Sequence, residues 1–279
     1  MSDVNMTKKP RGALQLLDHG YIKLVSTNGK DADIAAAARL SYGRGTKKKN
    51  DDAGLIRYLY MNAHTSPFEM VGMKFQMRLP IFIMRQLVRH RTANLNEYSG
   101  RYSIMPRLFY IPEIEQIAAQ HETNKQSSGV PLDPTEAEVI RRMMRDISEA
   151  SFNVYEHLVE RGLSRETARE VLPLNTYTEV VWQMDLNNML KFLWLRDDDH
   201  AQWEIQVYAK AIAEKVKEKF PLTYAAYMRK RSSVSLTTDQ LFALITGDRT
   251  GLPKGELAEV EQLQRRLQQE ITAKMVIED

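Results

Sequence analysis

The chain of 279 residues contains no cysteine. This absence excludes disulfide bonds, thiolate-bound zinc or iron–sulfur sites and a cysteine nucleophile. No apolar run approaches the roughly 20 residues that a membrane-spanning helix needs, and the polar first twelve residues contain no signal-peptide core. The length suits one large domain or two small ones with a substantial hydrophobic core. We therefore expect a globular protein of the cytoplasm.

Acidic residues are scarce in the window from Arg78 to Arg107. It holds six arginines, no lysine and a single acid, Glu97, so the window carries +5 within a chain of net charge +3. An arginine-only cluster beside aromatic residues is typical of phosphate or planar-anion recognition. Structural ion pairs are the alternative, and they would need acids that this window does not contain. We therefore favour an anion-binding site, although the overall charge alone does not indicate nucleic-acid binding.

Hydrophobic periodicity predicts an α+β chain that is rich in helix and has a central sheet. Apolar and polar residues alternate over 71–79, as in a half-buried strand. Pro80 then suits the start of a helix that runs to His90, on which Gln86, Arg89 and His90 would share a face. Further helices are expected at 33–42, 51–62, 135–161, 185–195, 199–220 and 256–275, and Ser164 would cap a short helix. A β-rich segment is expected at 176–184, and loops are expected at 43–52 and 121–134.

The simplest organisation is a single domain over residues 1–279. Within it, residues 232–279 could form an appended helical tail. The apolar residues of the last expected helix are spaced like a packing seam that could contact a partner subunit.

The segment 89–103 concentrates hydrogen-bonding groups. Its sequence, RHRTANLNEYSGRYS, contains three arginines, a histidine, a glutamate, two asparagines and two serines. A loop of this composition can bind a phosphorylated ligand, because arginines and serines contact phosphate oxygens while asparagine and glutamate contact base or sugar edges. We therefore expect a polar ligand to bind at this segment.

Four motif segments of the chain carry a family resemblance. The first signature, RHR at 89–91 with Asn96, Glu97, Ser99 and Arg101, resembles the RHRxxSxNExSxR motif of the flavin-dependent thymidylate synthases. Asn94 stands where that family usually has serine, and asparagine still donates and accepts hydrogen bonds. The other segments are similar to further family elements and occur in the family's order: HTSPFE at 64–69, AR at 168–169 with LP at 172–173, and FLWLR at 192–196 with HAQWEI at 200–205.

The resemblance implies a fold, a reaction and an assembly. The fold would be the single α+β domain of that family. The reaction would convert dUMP to dTMP, with 5,10-methylenetetrahydrofolate as carbon donor and NADPH supplying reducing equivalents through FAD. The sites would lie where the subunits of a homotetramer meet.

The resemblance also implies the residues that bind each ligand. Those implied for FAD are Ser66, Arg89, His90, Arg91, Glu97, Asp185, Leu186, Asn187 and Lys191. Those implied for dUMP are Gln86, Leu87, Val88, Arg89, Glu97, Tyr98, Ser99, Gly100, Arg101, Arg169 and Arg196.

Arg196 is the residue that the resemblance assigns to catalysis. Methylation at C5 of uracil requires that carbon to become nucleophilic, and a chain without cysteine cannot add a thiolate at C6. A fixed guanidinium can instead stabilise negative charge on the pyrimidine, because it is always charged and its donors are rigid. We therefore expect Arg196 to polarise the ring.

Three other interpretations remain open. Asp197, Asp198, Asp199 and His200 could bind Mg²⁺ or Mn²⁺ in a phosphohydrolase, but a helix N-terminus at this run would explain the acids without a metal, and we expect no metal. The arginine window could bind RNA or DNA without catalysis, although we expect no nucleic-acid partner. Ser99 could be a nucleophile, although the sequence shows no His–Asp pair to activate it.

Overall fold

The computed structural model describes residues 8–41, 51–122 and 128–275. Two compact units make up the chain, Met1–Arg231 and Ser232–Asp279. Among the described helices, none combines the length and the apolarity that a membrane crossing requires.

The first unit alternates strands and helices. Its elements in chain order are β1 (Leu14–Leu16), β2 (Gly20–Asn28), α1 (Asp31–Leu40), α2 (Asp52–Met61), α3 (Ser66–Glu69), β3 (Gly72–Pro80), α4 (Ile81–Leu87), β4 (Asn94–Glu97), β5 (Ala118–Gln120), β6 (Ser128–Pro131), α5 (Pro134–Glu160), α6 (Arg165–Ala168), β7 (Tyr177–Asp185), α7 (Leu186–Arg196), α8 (Trp203–Lys219) and α9 (Pro221–Arg231).

A five-stranded antiparallel sheet forms the centre of this unit. Its order is β1-β2-β3-β7-β4, and β3 pairs with β7 from Gly72↔Asp185 to Pro80↔Tyr177. The apolar residues of β3, such as Phe75, lie in one core cluster with Trp182 of β7 and with residues of α1, α2, α7 and α8. The α+β class and the alternation over 71–79 are therefore confirmed.

Several boundaries differ from the sequence predictions. The helix expected to reach His90 ends at Leu87, because the chain turns there to bring β4 beside β7. The helix expected from Asp199 begins at Trp203, because the side chain of Asp198 accepts hydrogen bonds from His200 and forms a local turn. Residues 128–131, expected in a loop, form β6.

Other elements had no prediction or lie partly outside the described residues. Strands β1, β2 and β4, helix α9 and a helix over Thr238–Thr246 were not predicted. Tyr42, at the end of the helix expected over 33–42, and most of the expected loop 43–52 lie outside the described residues.

The second unit contains two helices, α10 (Thr238–Thr246) and α11 (Lys254–Met275). Thr237 and Gln240 form a reciprocal capping box at the start of α10, and Gly247 ends it in the left-handed conformation. Ala243 and Val260 are buried. The helix predicted over 256–275 is confirmed as α11.

We predict that Gly72→Ala destabilises the sheet. A Cβ at Gly72 would lie 2.6 Å from the carbonyl oxygen of Met184 and 3.1 Å from Cα of Asp185, both in the backbone of β7. Backbone atoms of a hydrogen-bonded strand cannot move aside as a flexible side chain can. We therefore expect a loss of about 2 kcal/mol in the free energy of unfolding, measured by urea denaturation. Gly255→Ala is the control, because a Cβ there meets no atom within 4 Å. An unchanged unfolding midpoint for Gly72→Ala would contradict the clash.

Candidate active site

The arginine-rich signature lies in the turn between α4 and β4. Residues 89–91 follow the end of α4, and the N–H of His90 donates to the carbonyl of Leu87 at 3.1 Å. The chain then enters β4, which pairs with β7 from Asn94↔Gln183 to Glu97↔Val180. The segment is therefore not a free loop throughout, since four of its residues belong to the central sheet. Arg89 and His90 do not share a helix face with Gln86, because the helix has ended.

Arg196 contacts His90 across 106 positions of sequence. Arg196 is the last residue of α7, and its Nε donates to Nε2 of His90 at 3.2 Å. The His90 ring also meets Phe192 edge-on, with 4.9 Å between ring centroids. Burial and the neighbouring Arg196 lower the pKa of His90 to about 4, so the imidazole is neutral near pH 7 and can accept this bond. Burial also lowers the pKa of Arg196, which nevertheless stays charged.

Two further hydrogen bonds join motif segments that are distant in sequence. Nε2 of Gln86 donates to Oε1 of Gln202 at 2.5 Å, which connects α4 to the HAQWEI segment. Nδ2 of Asn187 donates to Oε1 of Glu69 at 3.3 Å, which connects the first turn of α7 to the HTSPFE segment. Gln202 and Glu69 were not predicted as site residues, although both stand inside the motif segments.

The end of the signature contacts the segment around α6. Nε of Arg101 donates to Oε2 of Glu166 at 2.6 Å. Gly100 is buried, and a Cβ there would lie 3.1 Å from Cδ of Arg169 and 2.9 Å from Sδ of Met105. The absence of a side chain at Gly100 therefore lets Arg169 approach the signature.

Glu97, Tyr98 and Ser99 have separate partners. Oε1 of Glu97 accepts from the hydroxyl of Thr178 at 2.8 Å, and the hydroxyl of Tyr98 donates to the carbonyl of Ile104 at 2.9 Å. Oγ of Ser99 accepts from the backbone N–H of Arg101 at 3.3 Å. No histidine within the described part of the chain hydrogen-bonds to Ser99, so its contacts give no support to a nucleophile.

Acids from outside the arginine window pair with some of its arginines. Buried Arg78 contacts Glu179 at 2.9 Å, and Arg107 contacts Glu149 and Glu156 at 2.5 Å each. The prediction that the window's own lack of acids leaves its arginines without ion pairs was therefore wrong for these residues and for Arg101. The acids come from α5, α6 and β7.

Three arginines of the window remain exposed at its centre. Within the described ranges, Arg85, Arg89 and Arg91 form no ion pair, and all three are exposed. The anion-binding potential therefore concentrates at the turn that also holds His90.

The residues that the resemblance implies for FAD occupy two places. The first place is the turn after α4 and the strand β4 that follows it, which hold Arg89, His90, Arg91 and Glu97. The second place is at α3 and α7, where the other residues lie. Asp185 caps α7, since its Oδ1 accepts from the N–H of Asn188 at 2.9 Å. The remaining positions are exposed Ser66 in α3, buried Leu186 and Asn187 and exposed Lys191 in α7.

Two of the implied ligand residues have core side chains. Leu87 and Leu186 belong to the main hydrophobic cluster, so only their backbone groups can contact a ligand. Val88 and Arg169 are exposed and could contact a ligand through their side chains.

A cleft of about 410 Å³ opens at the ends of β2, β3 and β7. Its polar lining includes the side chains of Lys74, Gln183 and Asp185, which lie on the face of the sheet opposite the core, and of Glu69. Lys74 and Gln183 were not predicted as site residues. The signal was present in the alternation over 71–79, which places Lys74 on the polar face.

The acidic run 197–200 is explained by local contacts. Oδ2 of Asp197 pairs with Arg231 at 3.1 Å, and Oδ1 of Asp198 lies 2.8 Å from Nδ1 of His200. The run lies between α7 and α8, so its assignment to a helix N-terminus was wrong. No group of three or more potential metal-ligating side chains occurs among the residues whose structure is described.

Comparison with known sequences finds a large family. A family model described as "Thymidylate synthase complementing protein" matches residues 23–222. The flavin-dependent thymidylate synthase of Wolbachia pipientis wMel is 50% identical over 215 residues, covering 77% of this chain and 75% of that protein. The enzyme of the same name from Thermus thermophilus is 50% identical over 215 residues, covering 77% of each chain.

Comparison with solved structures agrees with the sequence matches. The UMP/dUMP methylase PolB from Streptomyces cacaoi, bound to 5-Br dUMP, superposes with a TM-score of 0.70 at 30% sequence identity. The superposition covers 79% of this chain and all of that one. With this agreement of sequence and fold, the chain belongs to the flavin-dependent thymidylate synthase family.

Proposed function

We propose that this chain methylates dUMP at C5 to give dTMP. FAD is its cofactor, 5,10-methylenetetrahydrofolate donates the carbon and NADPH supplies the reducing equivalents. The observation that carries this proposal is the hydrogen bond between Arg196 and His90, because it supports a site in which the guanidinium that we assign to polarising uracil acts beside the signature turn. Two relatives that are 50% identical to this chain are named flavin-dependent thymidylate synthases, and the PolB structure is bound to 5-Br dUMP.

The donor groups of the turn after α4 fit an FAD pyrophosphate. Arg89 and Arg91 are exposed and have no ion pair in the described part of the chain, and guanidinium groups bind phosphate oxygens in a bidentate manner. We therefore assign them, with His90, to FAD, together with Ser66, Glu97, Lys191 and residues 185–187. When bound, FAD supplies the redox chemistry, while the protein positions it and excludes competing reactions.

Arg196 would activate the nucleotide. Its half-buried guanidinium is less screened by water than an exposed one. Directed at the pyrimidine, it would stabilise negative charge on N3 and the carbonyl oxygens and thereby raise electron density at C5. This role replaces the thiolate that the chain lacks.

The substrate phosphate and sugar would bind around the end of the signature. Ser99, Gly100, Arg101 and Arg169 lie close together there, since Gly100 approaches Arg169 and the N–H of Arg101 contacts Ser99. Gln86, Glu97 and Tyr98, with residues 87–89, complete the set that we assign to dUMP.

We place each site between subunits of a homotetramer. Arg85, Arg89, Arg91 and Arg169 are exposed in the single chain, and their charges would face a ligand held against a neighbouring copy. A nucleic-acid-binding function has less support, because Arg78 and Arg107 are paired with acids of the same chain.

We predict that Arg101→Ala raises the Kd for dUMP. A charge-assisted hydrogen bond contributes about 1.5–3 kcal/mol, so we expect a weakening of about tenfold or more, measured by titration calorimetry. Glu166→Gln is the matched control, because it removes the ion pair of Arg101 and leaves the guanidinium for the phosphate. An unchanged Kd in Arg101→Ala would contradict the phosphate assignment.

The proposed function is tested anaerobically on the purified full chain. The protein is expected to bind FAD, whose absorbance should bleach on addition of NADPH. Supplying dUMP and 5,10-methylenetetrahydrofolate should then restore the oxidised spectrum and yield dTMP. Protein that binds no flavin, or whose reduced flavin gives no dTMP, would overturn the proposal.

A further inference from the structure

We infer that His90 is a positioning residue, whose Nε2 holds Nε of Arg196 so that the two terminal nitrogens of the guanidinium face the uracil. This inference rests on the proposed function, because it concerns how the charge of Arg196 is directed. It gives His90 a role toward a neighbouring side chain, besides any contact with FAD.

The hydrogen bond selects one edge of the guanidinium. Arginine carries five N–H donors, of which one is on Nε and two are on each terminal nitrogen. In the described structure, the bond from Nε to His90 is the hydrogen bond that Arg196 makes, so the donors on Nη1 and Nη2 remain available. The two terminal nitrogens form a planar fork that matches a pair of acceptor atoms on one edge of a ring. His90 therefore determines that the edge formed by Nη1 and Nη2, and not the edge that includes Nε, faces the ligand.

The histidine is itself held in place. Its ring packs at 78° against Phe192, which lies one turn before Arg196 on α7 and is fully buried. Phe192 in turn packs on Trp182 of the central sheet, with 5.4 Å between centroids. The backbone N–H of His90 is tied to Leu87. The contact thus connects the end of α7 to the signature turn through groups fixed to the core.

The neutral imidazole is required for this role. Arg196 faces the ring from α7, the uncharged Phe192 faces it from the same helix, and Arg89 and Arg91 flank it in the turn. These neighbours supply positive charge and no carboxylate, and burial disfavours the imidazolium further. Protonation would place a cation against Arg196 and remove the acceptor, so the bond should persist at neutral pH and break as the pH falls through about 4.

Two substitutions separate positioning from packing. His90→Phe keeps an aromatic ring against Phe192 but has no acceptor, whereas His90→Gln keeps an acceptor near the position of Nε2. We expect His90→Phe to lower kcat about tenfold at saturating dUMP, the effect of about 1.4 kcal/mol for one hydrogen bond, and His90→Gln to recover most of that loss. Because His90 is also assigned to FAD, kcat is compared at saturating FAD, and the Kd for FAD is measured in both variants by flavin fluorescence. Equal kcat in the two variants, or a loss that follows the FAD Kd instead, would overturn the inference.

A measurement without turnover distinguishes this inference from the proposed function. The pKa of the His90 ring is followed by NMR in the full chain and in Arg196→Ala. Removal of the cation is expected to raise this pKa from about 4 toward its ordinary value, and an unchanged pKa would show that the two side chains are not in contact. If the wild-type chain makes no dTMP, the proposed function fails, whereas the NMR titration still decides whether His90 holds Arg196.

Discussion

Replacing Arg196 with alanine is expected to lower dTMP formation by about 100-fold or more, because loss of one preorganised electrostatic donor typically costs about 10²–10³ in kcat. The chain has no cysteine, so thiolate addition at C6 cannot substitute for the missing charge. The flavin should remain bound, because the arginines assigned to its pyrophosphate, Arg89 and Arg91, lie in another segment. The measurement is single-turnover dTMP formation from reduced, flavin-loaded protein.

Two further variants make this result specific. Arg196→Lys keeps a positive charge but loses the planar fork, so we expect activity between that of alanine and wild type. Arg142→Ala removes an arginine whose side chain is 82% exposed on α5, and it should leave turnover unchanged. Near-normal turnover in Arg196→Ala would refute the catalytic role.

The sequence predicted the fold best where periodicity is strong. The alternation over 71–79 correctly predicts β3. Helices begin where the sequence predicts them, after Ser164 and at Asp185, and both side chains cap their helix. Strand β4 was missed because Asn94–Glu97 is polar and exposed and has no alternation of its own. That strand exists because β7 offers a free edge, so its formation depends on tertiary pairing rather than local propensity.

The sequence motifs name residues of the candidate site but do not show how those residues are arranged. The motifs named His90 and Arg196, yet no spacing rule states that residues 106 positions apart share a hydrogen bond. Because spacing does not show long-range contacts, some arginines of the window were also wrongly expected to have no ion pairs. Arg78 finds its acid 101 residues away on β7, and only the strand register brings the two opposite each other. Local composition therefore could not tell which arginines are available for an anion.

Breaking the buried ion pair of Arg78 is expected to cause the largest loss of stability. Nε and Nη2 of Arg78 donate to Oε1 of Glu179 at 3.0 and 2.9 Å, and Nη1 donates to the carbonyl of His19 at 3.3 Å. The guanidinium also lies 4.8 Å from the ring centroid of Tyr21, whose pKa is raised by burial and by Glu179. Arg78 is 3% exposed and Glu179 9%, so removing one partner leaves the other charge without water to solvate it.

Arg78→Met should therefore lower the free energy of unfolding by about 3–5 kcal/mol, measured by urea denaturation. Arg142→Ala breaks an exposed pair at 4.0 Å and should cost no more than about 0.5 kcal/mol. The double variant Arg78→Met with Glu179→Leu should recover much of the loss, because two apolar side chains need no counter-charge in a buried site. A loss below about 1 kcal/mol in Arg78→Met would mean that Glu179 finds another partner or water. Recovery of both stability and dTMP formation in the double variant would show that Arg78 serves the fold and is not needed for binding the ligand.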